Sequence, residues 1–121
     1  ERLLAFEMKC YSRILNIRWQ QRIKNTEVRR RMKAETNVLQ MIIKRKMEFF
    51  GHVCRMGEGR MVKKVMWGNM HGTNRKGRPR KQWLDDITEW GRADLPTLCW
   101  ETRSREVWRK RVRRAVDTNG R

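Results

Sequence analysis

A chain of 121 residues has room for one small domain, or two helical subdomains, around one modest core. Hydrophobic residues make up 38% and charged residues 36%, so a large share of the side chains must stay solvated. Lys and Arg number 31 against 13 Asp and Glu, and this net charge of +18 makes nucleic acid the leading partner class, with an anionic membrane surface second.

No apolar run approaches the roughly 20 residues of a membrane span, and the N-terminus lacks the order of a signal peptide, so the expectation is a soluble intracellular chain with no membrane partner. Cys10, Cys54 and Cys99 are odd in number and widely spaced, which points to reduced thiols rather than a disulfide framework. The start at Glu1 rather than Met is read as a fragment or a processed product.

Leu4, Met8, Tyr11 and Leu15 recur at helical spacing, with Leu3 and Ile14 widening the stripe, and predict an amphipathic helix over about 2–16. Asn25 is the expected cap of a short helix running toward Met32, and Thr36 the expected cap of a third. In that third helix Leu39, Ile43, Met47, Phe50 and Cys54 form one stripe beside Ile42, Phe49 and Val53, while Lys44, Arg45, Glu48 and Arg55 face out. Gly57 and Gly59 stop it, and Val62, Val65 and Met66 permit a short further helix. From Gly68 to Lys81, Gly, Asn and Pro79 among basic residues read as a loop. Residues 82–90 read as a helix with Trp83, Ile87 and Trp90 inward and Asp85, Asp86 and Glu89 toward solvent. Pro96 separates it from a last helix, with Trp108, Val112, Ala115 and Val116 inward and Arg109, Lys110, Arg113 and Arg114 outward. No strand pattern competes. The expected class is all-α, with helical clusters at 1–67 and 82–121 joined by the basic loop 68–81.

The charge is unevenly spread. Residues 57–81 carry eight basic side chains and one acidic, whereas 82–101 carry one basic and five acidic, an acidic island between basic blocks. Within the loop, Lys76-Gly77-Arg78-Pro79-Arg80-Lys81 resembles the Gly-Arg-Pro core of an AT-hook: glycine allows close backbone approach, proline holds an extended path, and the arginines can enter a narrow minor groove or straddle phosphates. The competing reading is a basic linker that only contacts phosphate. Trp19, Trp67 and Trp100, near element ends, are candidates for base stacking, and Trp83, Trp90 and Trp108 for core packing.

Two motifs invite catalytic or metal readings. Asp85-Asp86 lies in the first turn of a predicted helix, where carboxylates complement the dipole, and lacks the third carboxylate and strand-turn setting of a polymerase centre. His52, Cys54, His71 and Cys99 could supply zinc ligands, but no closely spaced cysteine pair exists and Cys54 lies on an apolar stripe. The sequence therefore assigns no catalytic residue, no metal site and no cofactor.

Several ordered blocks then resemble the region after the thumb of reverse transcriptases from non-LTR, LINE-type retrotransposons. They are Leu4-Ala5-Phe6-Glu7-Met8-Lys9-Cys10-Tyr11 with Arg13-Ile14-Leu15 and Trp19; Asn25-Thr26-Glu27-Val28; Lys44-Arg45-Lys46-Met47-Glu48-Phe49-Phe50-Gly51-His52-Val53; Gly77-Arg78-Pro79-Arg80-Lys81-Gln82-Trp83-Leu84-Asp85-Asp86-Ile87; and Arg105-Glu106-Val107-Trp108-Arg109. The resemblance implies a parent RNA-directed DNA polymerase with an endonuclease domain, both lying before Glu1, so that this chain is no enzyme and holds RNA or DNA near the upstream domains, in the nucleus at its site of action. Some members carry a Cys-Cys-His-Cys knuckle in this region, and this sequence departs from that pattern. Arg75, Lys76, Arg78, Arg80 and Lys81 are the binding candidates in the loop, and Arg109, Lys110, Arg113 and Arg114 those on the last helix. The alternatives are a module that braces the polymerase thumb and a host-adopted RNA- or DNA-binding protein.

Overall fold

Ile43, Met47, Phe50 and Val53 fall on one side of a single helix, and all four are fully buried in a computed structural model describing residues 1–68 and 76–120. That helix, α3 (Val38–Cys54), is the spine of the molecule. Among the described residues the other helices are α1 (Arg2–Ile14), α2 (Asn25–Met32), α4 (Met61–Trp67), α5 (Trp83–Gly91), α6 (Leu95–Glu101) and α7 (Arg105–Asn119), with a 3-10 turn at Trp19–Gln21 and no strand, so the fold is all-α.

The cap of α3 is Asn37 rather than Thr36. Its side-chain oxygen accepts from the Gln40 N–H at 2.8 Å while the Gln40 side chain accepts from the Asn37 N–H at 3.0 Å, a reciprocal box that satisfies two orphan donors. The Asn37 amide also donates to the Gly120 carbonyl at 2.6 Å, and the Trp108 indole donates to the Met47 carbonyl at 3.1 Å. The start of α3 thus meets the end of α7 and its middle meets the start, so the two helices run antiparallel. They approach closely at Gly51, where a Cβ would overlap the Trp108 indole.

One core results, built from Ile43, Met47 and Phe50 of α3 together with Ile87, Leu98, Trp108, Val112 and Ala115. The clusters expected at 1–67 and 82–121 share it: the stripe of Ile43, Met47 and Phe50 is covered by helices from the far side of the basic loop, while Ile42 and Phe49 beside it stay exposed. Arg111 locks the covering helices together. It grips Glu101 of α6 through two nitrogens, at 2.8 and 2.5 Å, and donates to the Gly91 carbonyl at the end of α5 at 3.0 Å.

Three local expectations change. Lys24 takes the cap position of α2 and Asn25 begins it. Pro96 sits in the first turn of α6, a helix not expected from sequence, where the missing N–H costs no hydrogen bond. In α1, Leu3 and Ile14 are exposed, and the buried residue is the charged Glu7. Its carboxylate accepts from the Tyr11 hydroxyl at 2.9 Å and the Val38 N–H at 3.0 Å, and pairs with Arg29 of α2 at 3.4 Å. That polar hub seats α1 and α2 on the first turn of α3.

Candidate nucleic-acid interface

The basic loop enters α5 through a backbone that only part of its sequence can adopt. Gly77 has φ +122°, a region that L side chains rarely occupy, and Pro79 fixes the next turn of the path. Lys76, Arg78 and Arg80 project exposed from this stretch, and none makes an ion pair among the described residues. Arg75, the fifth loop candidate, lies outside the described residues, as does His71 of the zinc reading.

Lys81 behaves differently from its neighbours. Its ammonium bridges Asp86 and Glu89 of α5, each at 2.7 Å, and these carboxylates raise its pKa above the ordinary lysine value. It is an anchor between loop and helix, and a phosphate must displace a carboxylate to reach it.

On α7 the 3.6-residue period that buries Trp108, Val112 and Ala115 sends Arg109, Lys110, Arg113 and Arg114 to the exposed side. Lys110 pairs with Glu106 one turn earlier at 3.0 Å, a solvated contact of little strength, and the three arginines make no ion pair among the described residues. No hydrogen bond or ion pair among the described residues links the loop to α7. The fold presents two separately anchored basic groups.

The acidic island accounts for this pattern. Asp85 accepts from the Gln82 N–H at 2.6 Å and closes the first turn of α5. Asp86 is half-buried and holds both Lys46 and Lys81; burial raises its pKa, but the two ammonium groups outweigh that and keep the carboxyl below its ordinary range. Lys46 of α3 lies 4.8 Å from the Trp83 ring centroid and 5.5 Å from that of Trp90. The Asp85-Asp86 pair is thus spent on a cap and an ion-pair network, and the apolar stripe of α5 cages a cation. Periodicity alone gives Lys46 no role, because its spacing from Trp83 arises only when α3 and α5 are packed.

Of the stacking candidates, Trp19 is 82% exposed and Trp100 68%, whereas Trp67 tilts against Phe50 with centroids 6.1 Å apart. Burial, and then the adjoining Cys99 thiol, push the Cys54 thiol up to about 12, so it stays protonated and unreactive at neutral pH. His52 is exposed, and among the described residues no three His, Cys, Asp or Glu side chains converge.

No protein-family model, curated protein or solved structure matches this chain.

Proposed function

We propose that this chain is a nucleic-acid-holding module, the C-terminal part of a non-LTR retrotransposon reverse transcriptase, which keeps template RNA or target DNA beside the upstream polymerase during target-primed synthesis. One observation carries the reading. Four of the island's five acids are engaged within the fold, Asp86 by Lys46 and Lys81, Glu89 by Lys81, Glu101 by Arg111 and Asp85 by the α5 cap, while Lys76, Arg78, Arg80, Arg109, Arg113 and Arg114 stay exposed and without ion pairs among the described residues. Six exposed cations without a carboxylate partner among the described residues suit phosphate neutralisation. The ordered sequence blocks support the proposed parent by resemblance. On this reading the chain itself performs no chemistry.

The test is filter binding of single-stranded RNA, duplex RNA and duplex DNA at two salt concentrations. Micromolar or tighter binding at low salt that weakens steeply at high salt supports the reading, and salt-insensitive or absent binding contradicts it. A reverse transcriptase frame directly upstream of the coding segment is the matching expectation for the parent.

A second reading, a brace for the polymerase thumb, is favoured by one feature. An apolar groove of about 440 Å³ lies open between α3, α4 and the start of α5, lined by Phe49, Met61, Val62, Val65, Met66 and Trp83 among others. If bracing is the whole function, the isolated chain self-associates through this face and binds nucleic acid no better than an unstructured peptide of the same charge.

A further inference from the structure

A further basic surface lies at the turn between α1 and α2. The chain leaves α1 through Asn16 at φ +52°, makes the 3-10 turn, and leaves that through Arg22 at φ +46°, so left-handed residues flank the turn that carries Trp19. The turn is tied within itself, with the Arg18 N–H donating to the Gln21 side chain at 3.1 Å and the Arg22 N–H to the Trp19 carbonyl at 3.2 Å. The result is an open pocket of about 380 Å³, within the usual range for ligand sites, whose lining includes Lys9, Ser12, Arg13, Arg18, Trp19 and Arg22 and no carboxylate. None of its four cations makes an ion pair among the described residues. In the neighbouring α2, by contrast, Glu27 is held by both Arg30 and Arg31 at 2.7 and 2.9 Å. A bare indole, 82% exposed, stands among guanidinium groups that nothing neutralises.

We infer that this pocket holds one nucleotide of a single strand, its base stacked on Trp19 and its phosphates on Arg13, Arg18 and Arg22. The chemistry selects that ligand. A duplex keeps its bases in its own stack and cannot offer a free face to the indole, and an acidic peptide or a lone phosphate uses the cations but leaves the aromatic surface idle. This rests on the nucleic-acid reading above and refines it: the Trp19 pocket takes the single strand, and the loop and α7 cations take phosphates of any strand.

The test measures binding of an oligouridylate and a DNA duplex to the full chain by fluorescence anisotropy across a salt series. Trp19→Ala is expected to weaken oligouridylate binding between about fivefold and 150-fold, as loss of one stacked base does, with the salt slope unchanged, duplex affinity unchanged, and Trp19→Phe retaining most of the affinity. Arg13→Ala with Arg18→Ala is expected to lower the single-strand slope by about 1.4, at about 0.7 per lost contact. Circular dichroism should match the parent chain, since these side chains are exposed. Equal oligouridylate affinity for Trp19→Ala and the parent chain overturns the inference while leaving the wider reading intact. Competition by polyglutamate as strong as by oligouridylate of equal charge also overturns it. Failure of the parent chain to bind any nucleic acid overturns both.

Discussion

At its first residue α3 receives a carboxylate, Glu7 of α1, on the Val38 N–H; at its middle it receives an indole, Trp108 of α7, against Met47, Phe50 and Gly51. The first junction is polar and narrow, with Tyr11 and Arg29 sharing the same carboxylate. The second is apolar and wide, drawing in Ile87, Leu98, Val112 and Ala115. Hydrogen bonds to a buried carboxylate fix where α1 and α2 sit but return little free energy beyond the cost of burying the charge, whereas apolar area returns stability in proportion to its extent. Unfolding should therefore be led by α1 and α2, with α3 and α5–α7 holding together longer.

The largest expected loss comes from Trp108→Ala, which removes a 3% exposed indole and its bond to Met47 and should cost about 3–5 kcal/mol in chemical denaturation. Gly51→Ala drives a methyl into the same indole and should cost about 1–3 kcal/mol, relieved in part when combined with a smaller residue at 108. Glu7→Ala leaves the Val38 N–H and Arg29 without their partner; a loss of about 1–3 kcal/mol, with hydrogen-exchange protection falling in α1 and α2 but not in α7, would separate the two junctions. Equal loss of protection in α7 would show that the hub and the core are one unit.

Smaller still is Asp86→Asn, at about 1 kcal/mol near neutral pH for a partly exposed network. The carboxyl of Asp86 lies below its ordinary value of 3.8 when folded, so its contribution is present above that pH and disappears as pH falls through the lower folded value. An acid titration of stability should lose part of its slope in that window in the Asn variant.

The two junctions also differ in how far they can be read from sequence. The apolar stripe at Ile43, Met47 and Phe50 and the pattern of Trp108, Val112 and Ala115 are periodic, and burial follows period, so these two sides of the wide junction are legible, whereas Leu98 of the unexpected α6 is not. Glu7 breaks the expected pattern of α1, because a carboxylate surrounded by apolar neighbours reads as solvent-facing until Tyr11, Arg29 and Val38 are brought around it. The same limit governs the surface. The exposed positions of Arg78, Arg109 and Arg113 follow from a Gly-Pro loop and a helical period, but the capture of Lys81 by Asp86 and Glu89, and of Lys46 between Trp83 and Trp90, depends on packing between elements far apart in the chain. The sharing of one core across residues 68–81 was likewise beyond periodicity, which gives the faces of helices but not their mates.

The measurement that bears most directly on the proposed function is the slope of log affinity for duplex DNA against log salt, taken for the parent chain and for Arg78→Ala with Arg80→Ala. Contacts with about 5–8 phosphates give a parent slope of about −4.5 to −7, and loss of two contacts should flatten it by about 2, with folding stability within about 0.5 kcal/mol of the parent. A parent slope near zero would contradict phosphate binding outright. A steep slope that the double variant leaves untouched would place the contacts on Arg109, Lys110, Arg113 and Arg114 and reduce the loop to a tether.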